Sequence, residues 1–291
     1  MFKIISDGAC DFSKDEVKKY NIDIVPFYIS FDGLNYLKEG IDISRKDFFN
    51  RLVSDKTVFP KTAQPNPQDY VDIFIPYLDK GVDILCITVS SKVSGSNNSA
   101  KMAVDMLADD YPDRSIVLLD TLNGSVAQGL ILKEIIKMRD AGLSLDKTTQ
   151  IAENIINSAK QYFTVETLEY LKRGGRVGPT TALVGSILGI RPILQVEDGM
   201  ISQLDSVRGK SKTLKLIEEA MVEALKDDVN NISIAIGHVF REEDANALKA
   251  NIGAGLNIQI PSPLVEMGAV IGAHAGPGAL VFAYCKKYEE V

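Results

Sequence analysis

Two predicted loops carry hydroxyl side chains in positions that suit the binding of an anion. Thr62 lies in segment 61–67 (KTAQPNP), where two prolines stiffen the chain just before a helix signal. Ser94 lies between an apolar strand at 83–89 and the next helix, where free backbone N–H groups and the positive end of the helix dipole gather. Ligands of open α/β sheets bind at this carboxyl end of the strands. The spacing therefore predicts a carboxylate or phosphate site, with turn or helix capping as the alternative role of each hydroxyl.

This sequence contains two histidines, so the choice of an imidazole for acid–base chemistry or ligand contact is narrow. His274 lies in segment 272–278 (GAHAGPG), where small residues let the backbone and a ligand approach closely. His238 ends an apolar strand, which favours a place in the core or at an interface. A hydroxyl beside His274 could act as a nucleophile, so a stand-alone hydrolase or phosphotransferase that uses Ser94 or Thr62 is the alternative to an anion-binding protein.

Positive charge is concentrated in one part of an acidic chain. The net charge is −7 and the isoelectric point is near 5.1, which argues against a nucleic-acid-binding protein, because phosphate backbones are held by clustered Lys and Arg. Four of the nine arginines nevertheless lie within residues 173–208, and they include Arg176 and Arg208. Arg offers paired donors and keeps its charge, so this stretch predicts contact with a partner's phosphate or with a carboxylate. A solvated helix end is the alternative.

Several other kinds of site lack their motifs in this sequence. Segment 209–211 (GKS) resembles the end of a phosphate-binding loop, but position 204, where that loop needs glycine, is leucine. No G-x-G-x-x-G follows the first strand and no G-x-S-x-G is present, so dinucleotide binding and the α/β-hydrolase elbow have no support. Asp7 and Asp11 have no accompanying cluster of His or carboxylate residues, so a metal site is not indicated. No cofactor is therefore expected.

The elements that must position these residues follow two patterns. The first half alternates β-rich runs with amphipathic helical runs, as in a parallel sheet covered by helices. Its predicted strands lie at 2–6, 23–31, 83–89 and 115–119. The second half has fewer helices, including 179–189 and 210–226, and its predicted strands lie at 161–165, 192–196, 200–207, 232–237, 257–265 and 279–285. We therefore predict an α/β fold with an N-terminal parallel-sheet α/β domain at 1–160 and a C-terminal α+β domain at 161–291.

Capping signals predict where several helices begin. Ser13 and Glu16 have the spacing of a capping box, and Asn66 followed by Pro67 is typical of an N-cap and a first helical residue. Further helices are predicted to start at Ser44, at Ser94 or Ser96, and near residues 125 and 144.

Length and composition place the chain among globular proteins. With 291 residues and 45% hydrophobic content, it can form two domains of ordinary size with their own apolar cores. No stretch approaches the roughly twenty uninterrupted apolar residues of a membrane-spanning helix, and residues 1–7 have the pattern of a first strand instead of a signal peptide. The three cysteines lie far apart without a C-x-x-C pair, as expected of reduced thiols. We therefore expect a cytoplasmic location.

Taken together, these segments resemble the DegV family of fatty-acid-binding proteins over essentially the whole chain and in the family's order. The matching segments are 6–11 (SDGACD), 62–67, Ser94-Gly95, Asp120-Thr121, Gln128-Gly129, 168–176, 190–194 (IRPIL), 207–209 and 274–279 (HAGPGA). The resemblance implies a two-domain DegV-like fold in which a long-chain fatty acid lies in an apolar tunnel between the domains.

The resemblance also implies roles for particular residues. Thr62 and Ser94 match the hydroxyl donors that hold the carboxylate of the fatty acid, and His274 matches a histidine near that carboxylate. Arg176 and Arg208 match positions that would contact a phosphate or the kinase. Some members serve a fatty acid kinase, whose ATP-binding subunit phosphorylates the presented carboxylate to an acyl phosphate. This chain is then expected to be a lipid-binding subunit without catalysis of its own, with transient contact to a membrane surface, or alternatively a lipid-responsive sensor.

Overall fold

The computed structural model describes residues 2–55, 57–177 and 190–291, so the helix predicted at 179–189 lies outside the described residues. The strands are β1 (Lys3–Asp7), β2 (Asp23–Val25), β3 (Tyr28–Ser30), β4 (Leu37–Lys38), β5 (Lys61–Ala63), β6 (Ile84–Thr88), β7 (Ile116–Asp120), β8 (Lys160–Thr164), β9 (Ile190–Glu197), β10 (Met200–Arg208), β11 (Ile232–His238), β12 (Val265–Glu266) and β13 (Leu280–Lys286). The α-helices are α1 (Lys14–Lys19), α2 (Arg45–Ser54), α3 (Pro67–Leu78), α4 (Ser96–Leu107), α5 (Ser125–Asp140), α6 (Leu145–Ser158), α7 (Glu169–Gly174), α8 (Lys210–Leu225), α9 (Glu242–Gly255) and α10 (Ala269–Ala275).

Four parallel strands form the first sheet, in the order β2-β1-β6-β7. The central strands β1 and β6 are buried at every residue, as expected for parallel strands that are covered on both faces. The predicted parallel-sheet α/β architecture is therefore confirmed. The single strand predicted at 23–31 is wrong, because the chain divides into β2 and β3 around Pro26, which has no N–H group for a ladder.

A small antiparallel sheet, in the order β4-β3-β5, carries one of the predicted site residues. Thr62 is the middle residue of β5, and its backbone pairs with Ile29 of β3, which is fully buried. Thr62 is therefore held by a backbone ladder and does not lie in the free loop that the sequence predicted. A fixed backbone limits the positions that its hydroxyl can take.

Six strands form the second sheet, in the order β10-β9-β8-β13-β11-β12. All neighbouring pairs are antiparallel except β11 and β12, and helices α8 and α9 cover one face. This arrangement confirms the predicted α+β character. The strand predicted at 257–265 is wrong, because only Val265–Glu266 pairs, and Pro261 and Pro263 remove two donors just before it.

The two sheets share an apolar core. Its largest cluster combines Ile4 and Leu85 of the first sheet with Phe163 and Val281 of the second. Helix α5 is buried along most of its length, and α5 and α6 pack against β13, although both helices precede residue 160. The domain boundary at residue 160 stays a prediction. Within the described parts of the chain, every helix is too short or too polar to cross a membrane.

Candidate functional site

Asp7, at the end of β1, holds together the segments that form the candidate site. Its side chain is fully buried, and its carboxylate accepts hydrogen bonds from the Val89 N–H (2.9 Å), Ser96 Oγ (2.7 Å) and Gln128 Nε2 (2.8 Å). Burial raises the pKa of Asp7, and these hydrogen bonds oppose the rise. Because its partners belong to the segment after β6 and to two helices, Asp7 fixes the chain on both sides of Ser94.

Ser94 is held just before α4. Its backbone N–H donates to the Ser90 carbonyl (3.1 Å), and its Oγ accepts from the Ser96 N–H (3.2 Å). Helix α4 begins at Ser96 with Gly95 as its N-cap residue, which resolves the two starts that the sequence allowed. The Ser94 hydroxyl donates to no acceptor among the described residues, so its proton is available to a ligand. The Gly95 N–H donates to Gln64 Oε1 (3.0 Å), which ties this segment to the one after β5.

Thr62 and His274 lie 212 positions apart in the sequence and form a hydrogen bond in the structure. Thr62 Oγ1 and His274 Nε2 are 2.8 Å apart, and both side chains are half-buried. His274 Nδ1 is buried without a hydrogen-bond partner among the described residues. The Nδ1 edge of the ring lies against Gly174, where an added Cβ would overlap the imidazole. The glycine therefore provides the space that lets the ring reach Thr62.

The charge state of His274 determines what Thr62 can do. Burial, together with the nearby Arg176 guanidinium, lowers the pKa of His274 to about 4, so the imidazole is neutral at pH 7. A neutral imidazole carries one proton, and unpaired buried N–H groups are rarer than unpaired acceptors. The Nε2–H tautomer is therefore favoured, in which His274 donates to Thr62 Oγ1. The Thr62 proton is then free to donate to a ligand, as in Ser94.

Arg176 places a positive charge beside the two hydroxyls. Its Nε donates to the Val93 carbonyl (3.1 Å) and its Nη1 to the Gly174 carbonyl (2.6 Å). Gly175, with a φ of 68°, makes the left-handed turn that ends α7 and directs the chain to Arg176. Burial lowers the pKa of Arg176, but guanidinium stays charged in proteins. Arg176 thus lies beside the two hydroxyls, where it could contact a carboxylate, one of the two anions that the sequence predicted for it.

These four side chains line one cavity of about 110 Å³ that lies between the two domains. Thr62, Ser94, Arg176 and His274 are its polar group near the surface, and we call them the head-group site. The rest of the wall is largely apolar and is built from both sheets and their connections, with Phe27, Val93, Phe163, Leu171, Val196 and Val281 among its residues. A cavity that combines a cluster of hydrogen-bond donors and a positive charge with largely apolar walls fits an amphipathic anion.

Helix α10, which carries His274, is positioned by two carboxylates from the N-terminal region. Asp11 Oδ1 accepts from the Gly268 N–H (2.7 Å), and Glu39 accepts from the N–H groups of Ala269 and Val270 (3.0 Å for the latter). We call Asp11 and Glu39 the α10 cap. Burial raises the pKa of both carboxyls, that of Asp11 to about 6. The sequence reasoning missed both roles, because the partners of each carboxylate lie more than 200 positions away.

Two residues that the sequence analysis named lie outside the cavity. Arg208 is exposed at the end of β10 that pairs with Ile190, whereas the cavity is lined by Ile201 near the other end of that strand. His238 is 8% exposed at the end of β11, and its Nδ1 accepts from the Arg241 N–H (3.3 Å). Among the residues that the structure describes, no group of three or more His, Cys, Asp or Glu side chains could hold a metal ion.

Comparison with known proteins gives one consistent family. The family model described as "Uncharacterised protein, DegV family" matches residues 1–287. A DegV domain-containing protein of Clostridium perfringens is 33% identical over 283 residues, which are 96% of this chain and 95% of that protein. A second such protein of the same organism is 32% identical over 286 residues, or 98% of this chain and 99% of the relative.

Solved structures of similar fold have been described with fatty acids. A stearic-acid-binding protein from Eubacterium ventriosum is 32% identical, with a TM-score of 0.95 over 100% of both chains. A fatty-acid-binding DegV family protein from Thermus thermophilus is 26% identical, with a TM-score of 0.87 over 98% of this chain and 99% of that chain. DegV of Bacillus subtilis, a fatty-acid-binding protein, is 26% identical, with a TM-score of 0.85 over 98% of this chain and 99% of that chain. These matches confirm the predicted fold and family resemblance.

Proposed function

This chain belongs to the DegV family, and from that premise we propose that it binds a long-chain fatty acid and presents the carboxylate to a fatty acid kinase. The single observation that carries the binding proposal is the head-group site in the wall of a largely apolar cavity between the domains. The relatives described with stearic acid and other fatty acids support the choice of ligand.

In this proposal, the carboxylate accepts hydrogen bonds from Thr62 Oγ1 and Ser94 Oγ. Both oxygens already have a protein donor, His274 Nε2 for Thr62 and the Ser96 N–H for Ser94, so each hydroxyl has a proton to give. Arg176 adds a positive charge that favours the ionised carboxylate. The roles of these residues in binding remain part of the proposal.

The acyl chain would supply most of the affinity. Burial of a chain of about sixteen carbons at roughly 0.8 kcal/mol per CH₂ gives a gross gain of about 12 kcal/mol, before the cost of immobilising the ligand. A few hydrogen bonds at the carboxylate are then enough to orient it. The apolar walls, including Phe163 and Val281, suit that part of the ligand.

Presentation to a kinase explains why the chain has a ligand site but no ATP-binding loop. In the phosphorylation step, a carboxylate oxygen attacks the γ-phosphorus of ATP, the bond from that phosphorus to its bridging oxygen breaks, and ADP leaves. Exposed Lys61 and Lys92 lie close in the chain to Thr62 and Ser94, and in this proposal they supply positive charge for the phosphates or for an acidic partner surface. Exposed Arg208 is a further predicted contact. Transient membrane contact and a cytoplasmic location remain predictions.

A hydrolase or phosphotransferase that uses the Thr62–His274 pair is less well supported by the geometry. The pair has the separation of a nucleophile and a base, 2.8 Å. However, a pKa of about 4 makes His274 a weak base at neutral pH, and its Nδ1 has no carboxylate partner of the kind that orients a catalytic histidine in residues 2–55, 57–177 and 190–291. Turnover of a substrate by the isolated chain would overturn our choice.

The binding proposal can be tested on the purified protein. We expect mass spectrometry of the denatured protein to release a long-chain fatty acid, and titration of the delipidated protein to give saturable binding. Thr62→Val and Ser94→Ala should each weaken binding by about tenfold, since each removes a hydrogen bond to a charged group. Ser91→Ala is the matched control, because Ser91 is an exposed hydroxyl in the same segment. Absence of bound lipid and of any titration signal would refute the proposal.

The kinase step needs its own assay. Acyl phosphate should form only when ATP, the lipid-loaded protein and a cognate kinase subunit are all present. If the protein binds fatty acid but no kinase of that class uses it, a lipid-responsive sensor becomes the better interpretation of the same site.

A further inference from the structure

Two amide side chains in the cavity wall each use one of their two polar atoms in a hydrogen bond to the backbone. Gln161 on β8 and Asn123, in the segment after β7, line the cavity and are 6% and 5% exposed. Asn123 Oδ1 is buried and accepts from no donor among the described residues, and the hydrogen bond found for the Gln161 side chain there uses its Oε1, which leaves Nε2 able to donate. Ser90 and Ser125 differ, since their hydroxyls donate to the Gly199 carbonyl (2.7 Å) and to Asp11 Oδ2 (2.5 Å).

The orientation of both amides is set by the backbone. Gln161 Oε1 accepts from the Ala127 N–H (3.0 Å), so a flipped amide would place two donors against each other. Asn123 Nδ2 donates to the Thr121 carbonyl (3.2 Å), and a flip there would place two acceptors together. The available donor of Gln161 and the unpartnered acceptor of Asn123 are therefore real features of this wall.

The two amides also lie in the same part of the molecule. Gln161 is bound to the first turn of α5, and Asn123 lies two residues before that helix. Along β8, Gln161 shares a face with Phe163, and its partner in the ladder is Val196, both of which line the cavity. An apolar side chain at position 161 would continue this wall, whereas an unpaired amide beside an alkyl chain costs free energy.

A hydroxyl group complements this pair, because it accepts one hydrogen bond and donates another. We infer that Asn123 and Gln161 form a subsite for a hydroxyl carried on the acyl chain, so that the ligand class is a hydroxylated long-chain fatty acid. This inference rests on the proposed function for the carboxylate and the chain. In the bound state, Gln161 Nε2 donates to the hydroxyl oxygen, and the hydroxyl donates to Asn123 Oδ1.

The test compares octadecanoic acid with a set of octadecanoic acids that each carry one hydroxyl at a different carbon. We expect one positional isomer to bind about tenfold more tightly than the others and at least as tightly as octadecanoic acid. Gln161→Met keeps the length of the side chain. It should bind the preferred isomer about tenfold more weakly than the wild type does, and octadecanoic acid at least as tightly as the wild type does. Val196→Ala is the control, because it alters the same stretch of wall without touching the amide.

The outcomes separate the two proposals. If no fatty acid binds, the proposed function fails. If octadecanoic acid binds as tightly as every isomer, a trapped water or no group at all satisfies the amides, and the subsite is refuted. The subsite would also be refuted if Val196→Ala and Gln161→Met lowered the affinity for the preferred isomer equally, since the shape of the wall alone would then account for the selectivity. Should Gln161→Met fold poorly, Asn123→Leu removes the acceptor with little change in side-chain size, and it must abolish the preference for the same isomer.

Discussion

The α10 cap predicts that the stability of this protein depends on pH through Asp11. Asp11 is 1% exposed, and its carboxylate accepts from the Gly268 N–H at 2.7 Å and from Ser125 Oγ at 2.5 Å. Burial is the largest influence on its pKa, and the opposing charge of Arg45 and these hydrogen bonds leave it at about 6, above the ordinary value of 3.8. Substitution of Asp11 by Asn keeps an acceptor for Gly268 and removes the ionisation.

The sign of the effect follows from which protonation state the fold favours. Since the folded state raises the pKa of Asp11, folding favours the protonated form, and the stabilisation is complete below about pH 3.8 and lost as pH rises through about 6. The full span corresponds to about 3 kcal/mol in the free energy of unfolding. About 1 kcal/mol of this falls between pH 5 and pH 7.

Urea unfolding of the wild type and of Asp11→Asn at pH 5, 6 and 7 measures this term. The free energy of unfolding of the wild type should fall by about 1 kcal/mol relative to that of the variant as the pH rises from 5 to 7. The comparison with the variant is necessary because His274 also titrates. The fold lowers the pKa of His274, so its contribution to stability is lost as the pH falls, which is opposite to the effect of Asp11. Both proteins share that contribution. A difference between them that stays constant across this range would refute the assignment of Asp11 as a buried, titrating cap.

Three further results are expected. In NMR titrations, the His274 ring should stay neutral down to about pH 4. Its resonance is the one that disappears in His274→Asn. A titration midpoint near 6.5 would contradict the burial of the ring. Gly174→Ala should weaken fatty-acid binding by about tenfold with a small change in thermal midpoint, because the added Cβ overlaps the His274 ring and separates it from Thr62. Asp7→Asn should lower the free energy of unfolding by about 2–4 kcal/mol, because the new NH₂ group would face buried donors that now donate to Asp7. An unchanged denaturation midpoint would count against this prediction.

Local signals in the sequence predicted much of the fold. The capping box of Ser13 and Glu16 is present at α1, and Asn66 caps α3 with Pro67 as the first helical residue. Capping depends on residues three positions apart, so it can be read from a single stretch of chain. The strand limits failed where proline removed donors, as at Pro26, and the sequence reasoning gave that residue too little weight.

The site was less predictable, because its contacts are long-range. The sequence named Thr62 and His274 separately, but the bond between their side chains joins β5 to α10, and only the fold brings them together. Asp11 was considered as a possible metal ligand, yet its partner is the backbone of Gly268. Gln161 carried no signal, since a glutamine in a predicted strand usually faces solvent.

The hydrogen-bonding pattern of the head-group site limits the ligands that it can bind. Thr62 and Ser94 each accept one hydrogen bond from the protein, so each offers its proton to the cavity, and Arg176 offers only donors and positive charge. In the proposed complex a carboxylate accepts from both hydroxyls and from Arg176, whereas an ammonium would be repelled by the positive charge of Arg176. We therefore expect the site to favour an anion through the charge of Arg176 and the two hydroxyl protons. Replacement of His274 by a residue without a donor would free Thr62 to rotate, so we expect the preference for an anion to fall.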